Sequence, residues 1–203
     1  MRVKMEKALS LTLKPNLINL FFIFFQQGVM IKTTVGYSIK TWLSQMGITP
    51  EYVADRIQTV FLDGKAVDDI EATIIRDGSN LSLSGALPGL VGATLRRGGF
   101  FASLRSSITH PVDDEMLPPK GGWVTVKLFN LLIPKLGPLF LAKGFWIKGE
   151  ALEKFIKSQT EDFWSGCLTA HLNGNEIDLK TLREMKWPPG KELVFLKVLS
   201  VSK

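Results

Sequence analysis

The chain has 203 residues, of which 45% are hydrophobic and 22% charged, a composition typical of a globular protein and not of a disordered one. Its single cysteine, Cys167, excludes an intrachain disulfide and a metal site built from the chain's own cysteines, and it fits a reducing compartment. The formal net charge of +6 is too small to mark the chain as an obligate binder of polyanions.

The positive charge is concentrated in the last third of the chain. Residues 123–203 contain 12 of the 25 Lys/Arg residues but only 8 of the 19 Asp/Glu residues. We interpret this excess as ordinary solvated surface charge. A face that binds nucleic acid or an anionic membrane is the alternative.

An apolar run, LINLFFIFF, occupies residues 17–25 and follows the basic residues Arg2, Lys4 and Lys7. This order of charge and apolar residues also occurs in signal peptides. The run is much shorter than the roughly 20 residues that span a bilayer, and no small-residue cleavage pattern follows it. We therefore expect a structural segment, with a signal or anchor as the alternative.

Residues 60–83, VFLDGKAVDDIEATIIRDGSNLSL, contain the clearest local pattern. An apolar strand leads into Asp63-Gly64, a strong hairpin signal because glycine readily adopts a positive φ. Asp77-Gly78 repeats that signal before Leu81 and Leu83, which alternate with polar residues as in a half-buried strand. The segment predicts strand, turn, irregular arm, turn and strand.

The same order occurs twice in the chain. Apolar alternation at residues 9–13 (LSLTL) matches that at 124–128 (VTVKL), GVMIK at 28–32 matches GFWIK at 144–148, and VFLDG at 60–64 matches AHLNG at 170–174. Residues 37–46 and 151–159 each show apolar spacing typical of a helix. Each copy thus predicts strand, strand, helix, strand, short arm and strand, with Gly64 and Gly174 at hairpin or loop corners.

This repeated pattern resembles β-grasp (ubiquitin-like) domains, and in particular the small sulfur carriers of the ThiS/MoaD family. The resemblance implies an α+β fold with two tandem β-grasp domains, each a mixed sheet wrapped around one main helix. The first domain would comprise residues 1–90 and the second, more MoaD-like, residues 123–203. Between them, residues 91–122 would form a basic and aromatic strap followed by a Pro/Gly-rich linker.

Members of that family act through a C-terminal Gly-Gly whose carboxylate is adenylated and thiolated. The corresponding position of the first copy has Gly89-Leu90, and the second copy ends at Lys203 without a glycine. The resemblance therefore implies a pseudo-carrier that does not transfer sulfur. A carrier or ubiquitin-like modifier activated by cleavage after Gly99 is an alternative, because LRRGG precedes that bond. We interpret Gly98-Gly99 as a turn.

No catalytic arrangement is visible in the sequence. His110 and His171 are the only histidines, and neither has a second histidine or a cysteine nearby for a metal site. Cys167 has no histidine or basic residue close in sequence that would activate it. We predict a protein that is not an enzyme and needs no cofactor or metal.

Residues 85–108 are too apolar for a solvated linker, and we call them the strap. We expect the strap to pack on a domain, to bridge the two copies or to cover a second subunit, with its arginines at the rim in water. The candidate partner-binding residues are Leu87, Leu90, Leu95, Arg96, Arg97, Phe100, Phe101 and Arg105.

Together these features predict a cytoplasmic, non-catalytic module for protein–protein recognition that does not bind membranes. Its partner would be an E1-like or sulfur-transfer enzyme, or a second copy of the chain. The alternative from another class is RNA binding by a TGS-type β-grasp module that uses the basic surface of the second copy.

Overall fold

The computed structural model describes residues 7–111 and 118–201, which form an α+β structure. The strands, in chain order, are β1 (Ala8–Leu13), β2 (Val29–Val35), β3 (Thr59–Leu62), β4 (Lys65–Ala66), β5 (Asn80–Ser84), β6 (Lys120–Leu128), β7 (Phe145–Lys148), β8 (Cys167–Leu172), β9 (Asn175–Glu176) and β10 (Leu193–Ser200). The α-helices are α1 (Phe22–Gln27), α2 (Ile39–Gln45), α3 (Pro50–Arg56), α4 (Gly89–Leu95), α5 (Leu132–Lys143), α6 (Gly149–Lys157), α7 (Glu161–Gly166) and α8 (Leu179–Glu184). Pro15–Phe21 and Phe100–Ile108 are 3₁₀ segments, and the second is interrupted by a kink at Arg105, which has non-helical backbone angles (φ −120°, ψ 23°).

The chain divides into two compact units. The central unit is Phe25–Lys135, and the terminal unit combines Met1–Phe24 with Leu136–Lys203. These units differ from the predicted division into residues 1–90 and 123–203, because each unit contains strands from both copies of the repeat.

In the central unit the strand order is β4-β3-β5-β6-β2. The inner pair β5 and β6 is parallel, and the remaining pairs are antiparallel. Helix α2 packs its apolar face into the core of this unit, where Ile39, Trp42 and Leu43 are completely buried. Its first turn is capped by Ser38, whose side chain accepts a hydrogen bond from the backbone N–H of Thr41.

In the terminal unit the strand order is β7-β10-β1-β8-β9. Here β10 and β1 are the parallel inner pair, and the other pairs are antiparallel. Helix α6 supplies Leu152, Phe155 and Ile156 to the core. An aromatic cluster fills this core, with its members in contact at 4.6 to 6.3 Å between ring centroids: Phe21, Phe24, Phe155, Phe163 and Trp164.

The apolar run at residues 17–25 lies in the 3₁₀ segment Pro15–Phe21 and in α1. Phe21, Phe24 and Phe25 are buried, whereas Leu20 and Ile23 are exposed. The run therefore forms helical structure with one buried face and one exposed face. Among the described residues, no helix has both the length and the apolar character needed to cross a membrane.

Both predicted hairpin turns have the same geometry. Asp63 and Gly64 have φ of 51° and 81°, and Asn173 and Gly174 have φ of 52° and 83°. Two successive positive φ values are typical of the type I′ turn, which suits the twist of paired strands. The prediction of a glycine turn at both positions is confirmed.

The first strand of each repeat lies in the unit formed mainly by the other repeat. In the central unit, Asp63 at the β3 turn donates its N–H to the carbonyl of Asn80 in β5 (3.0 Å) and accepts the N–H of Asn80 on its carboxylate (2.7 Å). In the terminal unit, Asn173 makes the same two bonds with Ala8 of β1, each 2.8 Å long. Strand β1 therefore occupies the position in the terminal unit that β5 occupies in the central unit.

Strand β10 correspondingly occupies the position of β6. The N–H of Phe195 in β10 donates to the carbonyl of Lys7, the residue before β1, at 2.9 Å. In the central unit, the N–H of Thr125 in β6 donates in the same way to the carbonyl of Ser79, the residue before β5, also at 2.9 Å. The sequence did not reveal this exchange because the connections after β1 and β6 contain helices instead of tight turns. No local geometry therefore obliges either strand to pair with the next one.

Candidate functional site

The strap belongs wholly to the central unit. It leaves the buried end of β5, passes through Gly85 and forms α4, a turn at Gly98, and then the 3₁₀ segment Phe100–Ile108. Beyond the strap, Thr109 makes an isolated parallel bridge to Ala66 of β4, and the N–H of His110 donates to the carbonyl of Ala66 at 2.7 Å. Both ends of the strap are thus tied to the sheet of this unit.

Arg105 anchors the strap from within. Its side chain is only 3% exposed, and its Nη2 donates to Oδ1 of Asp68 at 2.5 Å. Nε donates to the carbonyl of Thr94 at 2.6 Å, and Nη1 donates to the hydroxyl of Thr109 at 2.9 Å. The same Asp68 oxygen accepts the N–H of Gly98 at 3.0 Å, so one carboxylate holds both halves of the strap.

The expectation that Arg105 lies at the rim with its charge in water is wrong. Burying a guanidinium is costly unless its donors are satisfied, and here all three of its nitrogens have acceptors. Asp68 lies 37 positions earlier in the chain, so no local sequence pattern connects the pair.

Arg97 is half-buried and Arg96 is exposed. The backbone N–H of Arg97 donates to Gln58 at 2.8 Å, and its Nη2 donates to the carbonyl of Val53 at 3.3 Å. Burial lowers the pKa of the Arg97 guanidinium from its usual value. Within the described parts of the chain, the side chain of Arg96 has no ion pair or hydrogen bond, and its exposed position agrees with the predicted rim.

Several large apolar side chains of the strap face outward, although the strap itself is tied to the central unit. Phe100 is 91% exposed and Leu104 71% exposed. Phe101 is 38% exposed, and its ring contacts that of Phe100 edge-on, with 5.1 Å between the ring centroids. Further exposed apolar residues are Leu90, Val91 and Ile108, while Leu87 and Leu95 are half-buried. The inner side is occupied by Arg105 and Arg97, which leaves the apolar residues outside.

The close approach of α4 to the preceding residues requires a glycine. A Cβ atom on Gly92 would lie 2.0 Å from the carbonyl oxygen of Leu87. Gly98, with φ of +60°, forms the turn between α4 and the 3₁₀ segment. The interpretation of Gly98-Gly99 as a turn agrees with this geometry, although only Gly98 has a positive φ.

Two grooves open beside the strap in the central unit, and the sequence did not predict either. The first has a volume of about 560 Å³ and is lined by Tyr52, Asp55, Arg56, Gln58, Gly85, Ala86, Leu131, Leu132, Pro134 and Lys135. The second, of about 520 Å³, is lined by Gln58, Ala86, Leu87, Gly89, Gly92, Ala93, Arg96, Arg97, Gly98, Gly99, Phe100 and Phe101. Because Gln58 and Ala86 line both, the grooves adjoin each other.

The remaining candidates for chemistry are not among the residues that line the strap grooves. Cys167 is buried in the terminal unit, and burial raises its thiol pKa to about 11, which keeps it protonated at neutral pH. His171 is half-buried in β8, opposite Ser10 of β1. Nδ1 of His110 lies 2.6 Å from the carbonyl oxygen of Pro111. Among the described residues, no three His, Cys, Asp or Glu side chains are grouped as a metal site would require.

No protein-family model, curated protein or solved structure matches this chain significantly. Its function is therefore argued from the chemistry of the strap and its grooves.

Proposed function

We propose that the protein is a non-catalytic module for protein–protein recognition, with the strap as its contact surface. The observation that carries this proposal is a set of exposed large apolar side chains, led by Phe100 and Leu104, on a segment that the buried Arg105 anchors to the partly buried Asp68. Exposed apolar clusters commonly mark interaction sites, and aromatic residues are frequent among their energetic anchors. An anchored surface also loses less conformational entropy on binding than a mobile one.

We further propose that both units are β-grasp domains related to the ThiS/MoaD carriers. The support for this assignment is that each unit has five strands of mixed direction with a parallel inner pair, together with an amphipathic helix that packs into its core. In a carrier, the segment after the last strand would be a free tail. Here the segment after β5 continues into α4, which supports a pseudo-carrier that docks on an E1-like or sulfur-transfer enzyme without receiving sulfur.

Three basic side chains of the terminal unit are held in ion pairs. Lys154 pairs with Glu150 at 3.3 Å, Lys157 pairs with Glu153 at 2.5 Å, and Arg183 pairs with Glu161. Basic side chains that are paired with carboxylates release fewer counterions when they meet phosphates. These pairs make three side chains less available to a phosphate backbone but leave the excess of basic over acidic residues unchanged, so RNA binding stays the alternative from another class.

A quantitative capture experiment tests the strap. The immobilised full chain, its Phe100→Asp/Leu104→Asp variant and an Ile23→Asp control are each incubated with nuclease-treated lysate of the native host, and captured proteins are quantified by mass spectrometry. Ile23 is a half-exposed apolar residue of the terminal unit, so this control adds a surface charge without touching the strap. We expect at least one protein to be lost with the strap variant and retained with the control.

An unchanged set of captured proteins would contradict the proposal. Proteins that are captured from a parallel lysate without nuclease treatment, but from none of the treated samples, would point to RNA instead.

A further inference from the structure

The second groove is positively charged. Of the 12 described residues that line it, two are arginines and none is acidic. Arg97 already donates to Val53, whereas the exposed guanidinium of Arg96 makes no hydrogen bond or ion pair within the described residues. A carboxylate is the side-chain group that suits the planar donors of arginine best.

Apolar groups lie directly beside these arginines. Leu87, Ala93 and the two phenylalanines of the strap line the same groove as Arg96. The adjoining first groove is mostly apolar, with Leu132, Pro134 and the 80% exposed Leu131 in its wall. The volumes of both grooves lie in the range of sites that bury a ligand of several side chains.

We propose that the two grooves together bind an extended, acidic segment of a partner protein. A carboxylate of that segment pairs with Arg96, and a large apolar side chain a few residues away enters the first groove. This inference rests on the proposed recognition function and names the chemistry of the partner. A nucleic acid fits less well because the walls of the first groove are mostly apolar, although Arg56 and Lys135 line it together with Asp55.

Peptide selection tests this chemistry directly. A phage library of random twelve-residue peptides is selected on the intact chain, and the enriched peptides are synthesised with a fluorescent label. We expect them to contain Asp or Glu within a few residues of Leu, Phe or Trp. Arg96→Glu should raise the Kd at least tenfold, because it replaces a charge-assisted hydrogen bond with repulsion.

Lys191→Glu is the matched control, since it makes the same charge change at an exposed site in the terminal unit. It should change the Kd less than twofold. In addition, Asp→Asn or Glu→Gln in the peptide should weaken binding to the native chain but not further weaken binding to Arg96→Ala. Such a lack of additivity would assign the contact to this pair of charges.

Three results would overturn the inference: no enriched peptide, enriched peptides without acidic residues, or binding that Arg96→Glu leaves unchanged. If a random 20-nucleotide RNA displaces the bound peptide from the native chain but not from Arg96→Ala, the ligand of this site is a nucleic acid and not an acidic peptide. If capture of a protein still depends on Phe100 and Leu104 while the selected peptides lack acidic residues, only this inference fails. If capture of a protein does not depend on Phe100 and Leu104 and no acidic peptide is enriched, the proposed function fails too.

Discussion

At the scale of single residues, Arg105 shows how far position can override residue type. An arginine near glycines and serines is expected in water. In this fold it is buried because Asp68, the carbonyl of Thr94 and the hydroxyl of Thr109 converge on its three nitrogens. The pair therefore sets the position of the strap, and through it the exposure of Phe100.

Removing this anchor should destabilise the central unit. We expect Arg105→Met, which keeps most of the side-chain volume, to lower the free energy of unfolding by about 2 to 3 kcal/mol, because it leaves the partly buried Asp68 without its partner. Urea denaturation measures this loss. Limited trypsin digestion should also show faster cleavage after Arg96 or Arg97 as the strap detaches.

Lys40→Met is the control, since it removes the 2.6 Å ion pair with Glu71, in which both side chains are largely exposed. Its cost should stay below about 1 kcal/mol. Equal losses for the two variants would show that Arg105 does not anchor the strap.

At the scale of elements, α4 depends on close packing between its own backbone and the preceding residues. Gly92 is buried inside α4, directly against Leu87. Helix propensity alone would favour alanine over glycine there by about 1 kcal/mol. The clash of a Cβ with a backbone oxygen at 2.0 Å is the larger effect, because the backbone cannot move aside without displacing the strap.

Gly92→Ala should therefore lower the free energy of unfolding by about 1 to 3 kcal/mol, measured by urea denaturation. Gly121→Ala in β6 is the matched control, since a Cβ there would have no atom within 4 Å. It should be neutral or slightly stabilising. If Gly92→Ala is the more stable of the two variants, the tight approach of α4 to Leu87 does not exist in solution.

At the scale of the whole molecule, the exchange of first strands predicts which fragments fold. A fragment of residues 25–135 contains all five strands of the central unit, whereas a fragment of residues 1–90 contains β1 in place of β6. In the shorter fragment, Leu9 and Leu11 would have to replace the smaller Val124 and Val126 in a closely packed core. Such overpacking costs roughly 1 to 3 kcal/mol.

We therefore expect the 25–135 fragment to unfold cooperatively in a thermal melt followed by circular dichroism. The 1–90 fragment should melt at a lower temperature or aggregate. Equal melting temperatures would mean that β1 can replace β6 without strain. Overpacking by Leu9 and Leu11 would then not explain why the first strands are exchanged between the units.

Turns and amphipathic helices could be predicted from the amino-acid sequence, because they are set by residues that are close together in the chain. Asp63-Gly64 and Asn173-Gly174 favour positive φ wherever they occur, and the apolar spacing at residues 37–46 and 151–159 predicted helices that α2 and α6 confirm. The repeat was visible because equivalent strands keep the same alternation. No apolar spacing predicted helix α5, which contains Pro138, a residue that normally ends or kinks a helix.

Only the tertiary structure decided which unit each first strand joins and which way the strap faces. The alternating patterns of β1 and β6 are alike, so hydrophobic periodicity cannot distinguish a strand that stays in its own repeat from one that is exchanged. The orientation of the strap depends on Arg105 and Asp68, whose contact closes a loop of the chain. Residue type ranks arginine as exposed and phenylalanine as buried, but Arg105 and Phe100 have the opposite arrangement because the acceptors for Arg105 lie on the inner side of the strap.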